Sequence, residues 1–271
     1  MHPRVARVLS ARNIDRAAFV AACAQAVAKA GDEAEVSPRM QLCAALVAEP
    51  GGALCDVGGS ISLYLVVLKL MGMDITVVDT LPYLDVAHLQ IGGFRDKTLR
   101  RLDLFDKLGI AIDRQDVFAA SLPASRFDVT CAYETIEHFP QSPKPVLENM
   151  VKALKAGGRL CLSVPNVARI EMRLRVLGGR TPHESYADYF MNGNPYFGHY
   201  REMTVSEMGF VAKALGLEKL RLFTTDMTYE SMKRKNPLQR AALAFNNATG
   251  FTDFILPTGM RKHVWLEARK P

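Results

Sequence analysis

The chain reads as an α/β protein built on a mostly parallel sheet with helices on both faces, and three features of the sequence say so. From residue 52 onward, short apolar runs alternate with longer amphipathic segments, which is the rhythm of consecutive βα units. The first of these runs passes through the glycine turn of "DVGGSISLY" into a helical segment, a strand-turn-helix arrangement. Finally, 49% of the 271 residues are apolar, ample for the core of one large domain.

Before the first strand, residues 12–30 and 38–49 read as two short helices separated by the polar "GDEAEVSP". They define an N-terminal extension over residues 1–50, either a partial cover over a ligand site or a packed appendage; the main domain spans 51–271. "GALCDV" is the first strand, "ISLYLVVLKLMG" a helix and "DITVVD" the second strand. In "GGFRDKTLRRLDLFDKLG" the residues Leu99, Leu102, Phe105 and Leu108 recur at helical spacing. "IAIDRQD" supplies the third strand and "RFDVTCAY" the fourth, and "KPVLENMVKALKAGG" is a helix with a glycine stop before the fifth strand, "RLCLSVPN". The segment 167–203 is too long for a routine connection and reads as an inserted lid or substrate-facing element. Thr204 and Glu207 form a capping box at the start of "TVSEMGFVAKALG", and "LEKLRLFTT" and "RKHVWLEARK" are the last two strands.

Composition excludes several classes. Lys plus Arg exceed Asp plus Glu by 34 − 28 = 6, an excess too small to imply nucleic acid by itself. The five cysteines, Cys23, Cys43, Cys55, Cys131 and Cys161, form no CxxC pair, which fits buried thiols in a reducing interior and not a disulfide scaffold or a structural zinc site. "MHPRVARVLSARNIDR" lacks the apolar segment of a secretory signal, and the most apolar stretch is short and broken by Lys69. A cytoplasmic, soluble protein with no membrane partner is expected.

The glycine turn carries the first chemical signal. Gly58 and Gly59 allow close approach of a ligand to free backbone N–H groups. Asp79 closes the second strand 21 residues beyond Gly58, where a carboxylate can accept both hydroxyl hydrogens of a ribose. A nucleoside-containing cofactor follows, with a tight βα turn and a capping aspartate as the plainer alternative. The NAD fingerprint is absent, because Ser60 and Leu63 stand where its further glycines belong. Asp116 closes the third strand in this reading, at the same carboxyl edge as Gly58, Asp79 and Tyr133, unless it caps a loop. Asp128 falls at the opposite edge.

These motifs resemble, in order, those of a class I S-adenosylmethionine-dependent methyltransferase of the small-molecule, type 11–12 kind. "LCDVGGSIS" is similar to the family's cofactor loop, "TVVD" to its ribose-binding strand end and "DVFAASLPASRFDVTCAYETIEHF" to its adenine-side loop and fourth strand. "VLENMVKALKAGGRLCLSVPN" matches the next helix, turn and strand. The resemblance covers roughly 50–225 and implies a Rossmann-like seven-stranded sheet of order 3-2-1-4-5-7-6. It further implies S-adenosyl-L-methionine as cofactor. Asp56, Gly58 and Gly59 would shape its methionine side, Asp79 would hold the ribose, and Asp116 would face the adenine amine. Val117 would supply an apolar wall, and Tyr133 would lie near the methionine portion. The departures are Ser60 and Ser62, in place of the usual second and third glycines, which keeps a cofactor-binding protein without catalysis in view.

"YETIEHF", residues 133–139, follows the fourth strand directly. His138 is the natural base for removing a proton from a hydroxyl acceptor, with Glu134 and Glu137 in support. If a helical turn starts at Glu134, then Glu137 and His138 share its face, and the three can meet around one ion. That arrangement resembles the Glu-x-x-Glu-His set of metal-dependent methyltransferases, including quinone-biosynthetic O-methyltransferases and small-RNA 2′-O-methyltransferases. The resemblance implies His199 in "GHYREMT" as the further ligand, with His183 the lesser match. Two Glu and two His ligands suit Mn, Fe or Zn better than Mg.

The acceptor is read less sharply. Arg169, Arg173, Arg175 and Arg180 form either a solvated face or a site for an anionic acceptor. Tyr186, Tyr189, Phe190, Tyr196, Phe197 and Tyr200, with Asn192 and Asn194, can pack the lid or frame an acceptor pocket. The leading expectation is O-methylation of a small metabolite or a glycan-related hydroxyl. Its rivals are a metal-dependent RNA 2′-O-methyltransferase and a small-molecule N-methyltransferase.

Overall fold

The computed structural model describes residues 1–31, 35–85, 94–183, 185–191, 196, 198–227 and 236–271. Seven strands form one sheet: β1 (Ala53–Val57), β2 (Asp74–Val78), β3 (Ala111–Asp113), β4 (Phe127–Tyr133), β5 (Leu154–Pro165), β6 (Glu218–Thr225) and β7 (His263–Arg269). Their order is β3-β2-β1-β4-β5-β7-β6. β7 runs antiparallel to both β5 and β6, and the remaining pairs are parallel. This is the Rossmann-like order that the motif series implies, and it puts the ends of β1, β2 and β4 side by side at one edge.

The helices are α1 (Pro3–Ala11), α2 (Arg16–Ala30), α3 (Pro38–Val47), α4 (Leu63–Leu70), α5 (Pro82–Asp85), α6 (Phe94–Leu108), α7 (Lys144–Ala153), α8 (Ile170–Leu177), α9 (Tyr186–Met191), α10 (Val205–Ala214), α11 (Pro237–Thr249) and α12 (Phe251–Ile255). On one face of the sheet, Leu9, Phe19, Leu42, Leu46, Tyr64 and Phe105 from α1–α4 and α6 share a core. On the other face, Leu147 and Met150 of α7 and Met208 of α10 pack with Leu160, Leu162 and Leu266. The N-terminal helices therefore bury apolar surface against the same sheet as the rest of the chain.

Several boundaries differ from those read off the sequence. The N-terminal region holds three helices, because Asn13 takes a left-handed conformation (φ 54°) and Asp15 then caps α2 through Ala17 N–H at 2.8 Å. α7 stops at Ala153, ahead of its glycines. Residues 237–255, to which the sequence reading gave no element, form α11 and α12. β3 ends at Asp113, not at Asp116, because the Asp116 carboxylate accepts from Phe118 N–H at 2.9 Å and turns the chain. Among the described residues no helix is long and apolar enough to cross a membrane. All five cysteines are buried, and none is in a disulfide.

Candidate active site

A cavity of about 910 Å³ opens at the carboxyl edge of β1, β2 and β4. Its floor is the turn after β1. Gly58 takes φ 72°, and a Cβ there would stand 2.2 Å from Thr135 Cγ2. A Cβ on Gly59 would stand 2.1 Å from Asp56 Oδ2, so both positions exclude side chains. Asp56 itself lies fully buried beneath the turn and accepts from the Tyr64 hydroxyl. Burial pushes its pKa up to about 7. It shapes the loop through Gly59, whereas Gly58, Gly59 and Ser60 line the cavity.

Ser60 occupies the left-handed region at φ 55°, where a serine is strained and a glycine is not. Its N–H donates to Asp79 Oδ2 at 2.9 Å, and Leu81 N–H donates to Oδ1 at 2.6 Å. Both oxygens of the expected ribose-binding residue are thus fixed by backbone and keep further lone pairs for a diol. Asp116, Val117 and Phe118 line the cavity from the loop after β3. Tyr133 and Thr135 line it from the end of β4, where the Thr135 hydroxyl donates to Gly58 O at 3.2 Å and joins the two loops.

Beyond Tyr133 the chain does not begin a helical turn at Glu134, which takes φ 53°; a short 3-10 turn follows over Ile136–His138. Glu134 instead engages α3 and the ends of β5 and β7. Its carboxylate pairs with Arg39 of α3, accepts from Ser163 Oγ at 2.9 Å and lies 3.3 Å from His263 Nδ1. Burial alone would push its pKa up, but Arg39 and His263 together hold it well below the usual carboxylate range. Glu134 is not among the residues whose ligand atoms meet.

The other three members meet. Glu137, His138 and His199 offer one ligand atom each, all within 4.8 Å of one another, and the two imidazole rings lie 4.7 Å apart. His138 Nδ1 donates to Gly198 O at 3.1 Å, and His199 Nδ1 donates to Glu202 Oε1 at 2.9 Å. In the neutral tautomers this places the lone pair of each ring on Nε2. Glu202 is in turn held by Arg169. Such outer partners fix the orientation of ligating imidazoles.

Glu137 is fully buried, and neither of its carboxylate oxygens has a hydrogen-bond partner. Burial and the charge of Glu134 push its pKa well above the ordinary value. An orphaned buried carboxylate beside two oriented imidazoles is the donor chemistry that a divalent cation satisfies. The backbone carbonyl of Glu137 accepts from Tyr200 N–H at 2.7 Å and Arg201 N–H at 3.2 Å, so the end of the inserted segment is fastened to the same turn.

The sequence reading missed Arg39, Glu202 and the real task of Arg169. None lies in a local motif; Arg39 follows the Ser37–Pro38 helix start and carries no mark of its distant partner. Arg169 serves Glu202, and Arg173 Nε donates to Ala168 O at 2.7 Å, so the arginines of 169–180 do not form one anion patch. Tyr196 and Tyr200, with ring centroids 5.3 Å apart, line the cavity mouth. His183 is absent from the cluster, while Asn192, Asn194 and Phe197 lie outside the described residues.

Comparison with known proteins matches this architecture. A family model described as a methyltransferase domain matches residues 28–222. A ubiquinone biosynthesis O-methyltransferase of Xanthomonas campestris pv. campestris is 29% identical over 140 residues, 52% of this chain and 54% of the relative. The match thus spans about half the length of that curated relative. Among solved structures, an S-adenosylmethionine-dependent methyltransferase from Mesorhizobium loti superposes with a TM-score of 0.52 at 15% identity, covering 82% of this chain and 92% of the other. The YcgJ protein of Bacillus subtilis superposes at 0.51 with 14% identity, covering 85% and 97%.

Proposed function

The chain belongs to the methyltransferase-domain family, with the fold of its class I S-adenosylmethionine-dependent members, and from that premise we propose that it methylates a hydroxyl oxygen of a small-molecule acceptor. The observation that carries this reading is the Glu137–His138–His199 cluster, whose His138 lines the cavity. The similarity to a quinone-pathway O-methyltransferase over half the chain supports it.

In this reading the glycine turn and Asp79 hold the nucleoside, and Glu134 with Arg39 behind it presents paired charges to the zwitterionic methionine end. The acceptor oxygen attacks the methyl carbon, the C–S bond breaks, and its electron pair leaves with the sulfur as a neutral thioether. The hydroxyl proton must also depart. Methyl transfer of this kind depends mainly on alignment, so rigid walls matter more than covalent assistance. Glu137, His138 and His199 would hold a divalent cation, with Mn, Fe or Zn matching the donor set. When bound, such an ion lowers the pKa of an acceptor hydroxyl and fixes its angle. A second reading rests on the tautomer set by Gly198: the Nε2 lone pair of His138 takes the hydroxyl proton directly.

The test is methyl transfer from labelled S-adenosylmethionine to a panel of phenolic, sugar and amine acceptors, with and without a chelator. The proposal expects methyl ethers, activity lost with chelator and restored by Mn²⁺. Chelator-insensitive ether formation would favour His138 as base, and transfer to amines alone would remove the O-methylation reading.

A further inference from the structure

One strongly charged group in the cavity has no place in the chemistry above. Arg101 of α6 is only 7% exposed, yet it lines the cavity. No carboxylate pairs with it among the described residues. Guanidinium groups are seldom buried without an anion, because desolvation of the charge is then uncompensated. Burial and the neighbouring Arg100 push its pKa down to about 10, which still leaves it cationic at neutral pH. Lys97 and Arg100 stand at i−4 and i−1 of the same helix and line the same cavity, so cationic side chains of three residues converge there.

The acidic residues on the cavity wall do not neutralise this group. Asp79 is fixed by Ser60 and Leu81 N–H, Glu134 by Arg39, and Asp116 by Phe118 N–H. Glu35 is exposed and forms no ion pair with Arg101. We propose that Arg101, with Lys97 and Arg100, forms an anion subsite that binds a phosphate or carboxylate group carried by the methyl acceptor. A planar guanidinium presents paired N–H donors to such an oxyanion, and its burial makes each bond stronger than at the surface. The subsite is assigned to the acceptor because Arg39 already stands with Glu134 at the Tyr133 end, where the amino-acid portion of the cofactor is expected. Selection among hydroxyl compounds would then rest on this charge, since an acceptor lacking the oxyanion leaves Arg101 buried and unpaired.

The inference rests on the reading of this cavity as the cofactor site, and the experiment separates the two. Calorimetry first measures S-adenosylhomocysteine binding to the wild type and to Arg101→Met; absence of binding to the wild type would defeat the cofactor reading itself. Inorganic phosphate is then titrated into each homocysteine-nucleoside complex at constant ionic strength. The expected result is phosphate binding to the wild-type complex, weakened about tenfold or more in R101M, with cofactor-product affinity unchanged and the melting temperature of R101M equal to or above the wild type. No phosphate binding to the loaded wild type, or equal binding to both proteins, overturns the subsite. Weaker S-adenosylhomocysteine binding by R101M with unchanged 5′-methylthioadenosine binding also overturns it, because Arg101 then serves the cofactor carboxylate. Should R101M fail to fold, the Lys97→Gln/Arg100→Gln variant changes two exposed side chains and carries the same phosphate test, with unchanged phosphate affinity overturning the proposal.

Discussion

Glu137 is the residue on which the proposed chemistry turns. Its burial with both oxygens unpartnered pushes this carboxyl's pKa well above the ordinary value, so a cation must compete with the proton that the carboxyl holds more tightly than an exposed one would. Affinity for Mn²⁺ is therefore expected to rise with pH, as titration calorimetry at several pH values would register. A flat profile would exclude Glu137 as a ligand. Arg39 governs Glu134 in the opposite sense. A carboxylate whose folded pKa is depressed contributes stability above its unfolded pKa, and the contribution is lost as pH falls through the folded value. Arg39→Ala, which strands Glu134, should cost about 3–5 kcal/mol at neutral pH, with the deficit narrowing below pH 4.5; urea unfolding at both pH values checks it. The placement of Gly58, Gly59, Asp79 and His138 on one cavity was legible in the sequence because each follows an obvious apolar run. Arg39 was not, because an ion pair between α3 and the end of β4 leaves no local signature. That Glu134 stands outside the cluster was illegible for a similar reason, since nothing in "YETIEHF" announces its positive φ.

The decisive element is the β1 turn, whose two glycines sit against side chains already in place. Gly59→Ala would drive a Cβ into the Asp56 carboxylate. Affinity for S-adenosylhomocysteine is expected to fall at least about tenfold, because the backbone donors must move; equal affinity by calorimetry would show that the turn adapts. Asp56 adds a pH dependence with the sign of a raised carboxyl pKa. Stability is fully present below the ordinary value of 3.8 and declines as pH rises to about 7. Asp56→Asn should flatten that decline in thermal melts of the ligand-free protein. Strands β1, β2, β4 and β5 could be read from apolar runs because both of their faces are covered. β3 was read too long because the Asp116 side chain competes for the backbone after Asp113. α11 shows a signal that was present and passed over: Asn236 and Gln239 form a capping box, Pro237 opens the helix and Gly250 closes it.

For the whole molecule, the order of motifs implied the sheet order, and the structure has that order. The acceptor was much less legible, since one fold hosts many reactions and the cavity wall is assembled from α2, α3, α6 and the β-strand loops. Trp265 ties these parts together: it is fully buried in β7, packs 5.6 Å from the Tyr133 ring and donates to Thr225 Oγ1 at 2.9 Å. Trp265→Ala should cost about 3–5 kcal/mol of stability in denaturant titrations. On the proposed reading, one cavity brings S-adenosylmethionine next to a Glu137–His138–His199 cation site. Titration of Mn²⁺ into the S-adenosylhomocysteine complex of the wild type and of Glu137→Gln tests it most directly. One ion should bind per wild-type chain and none, or about a hundredfold more weakly, in E137Q; no binding to the wild-type complex, or equal binding to both, would rule the cation site out.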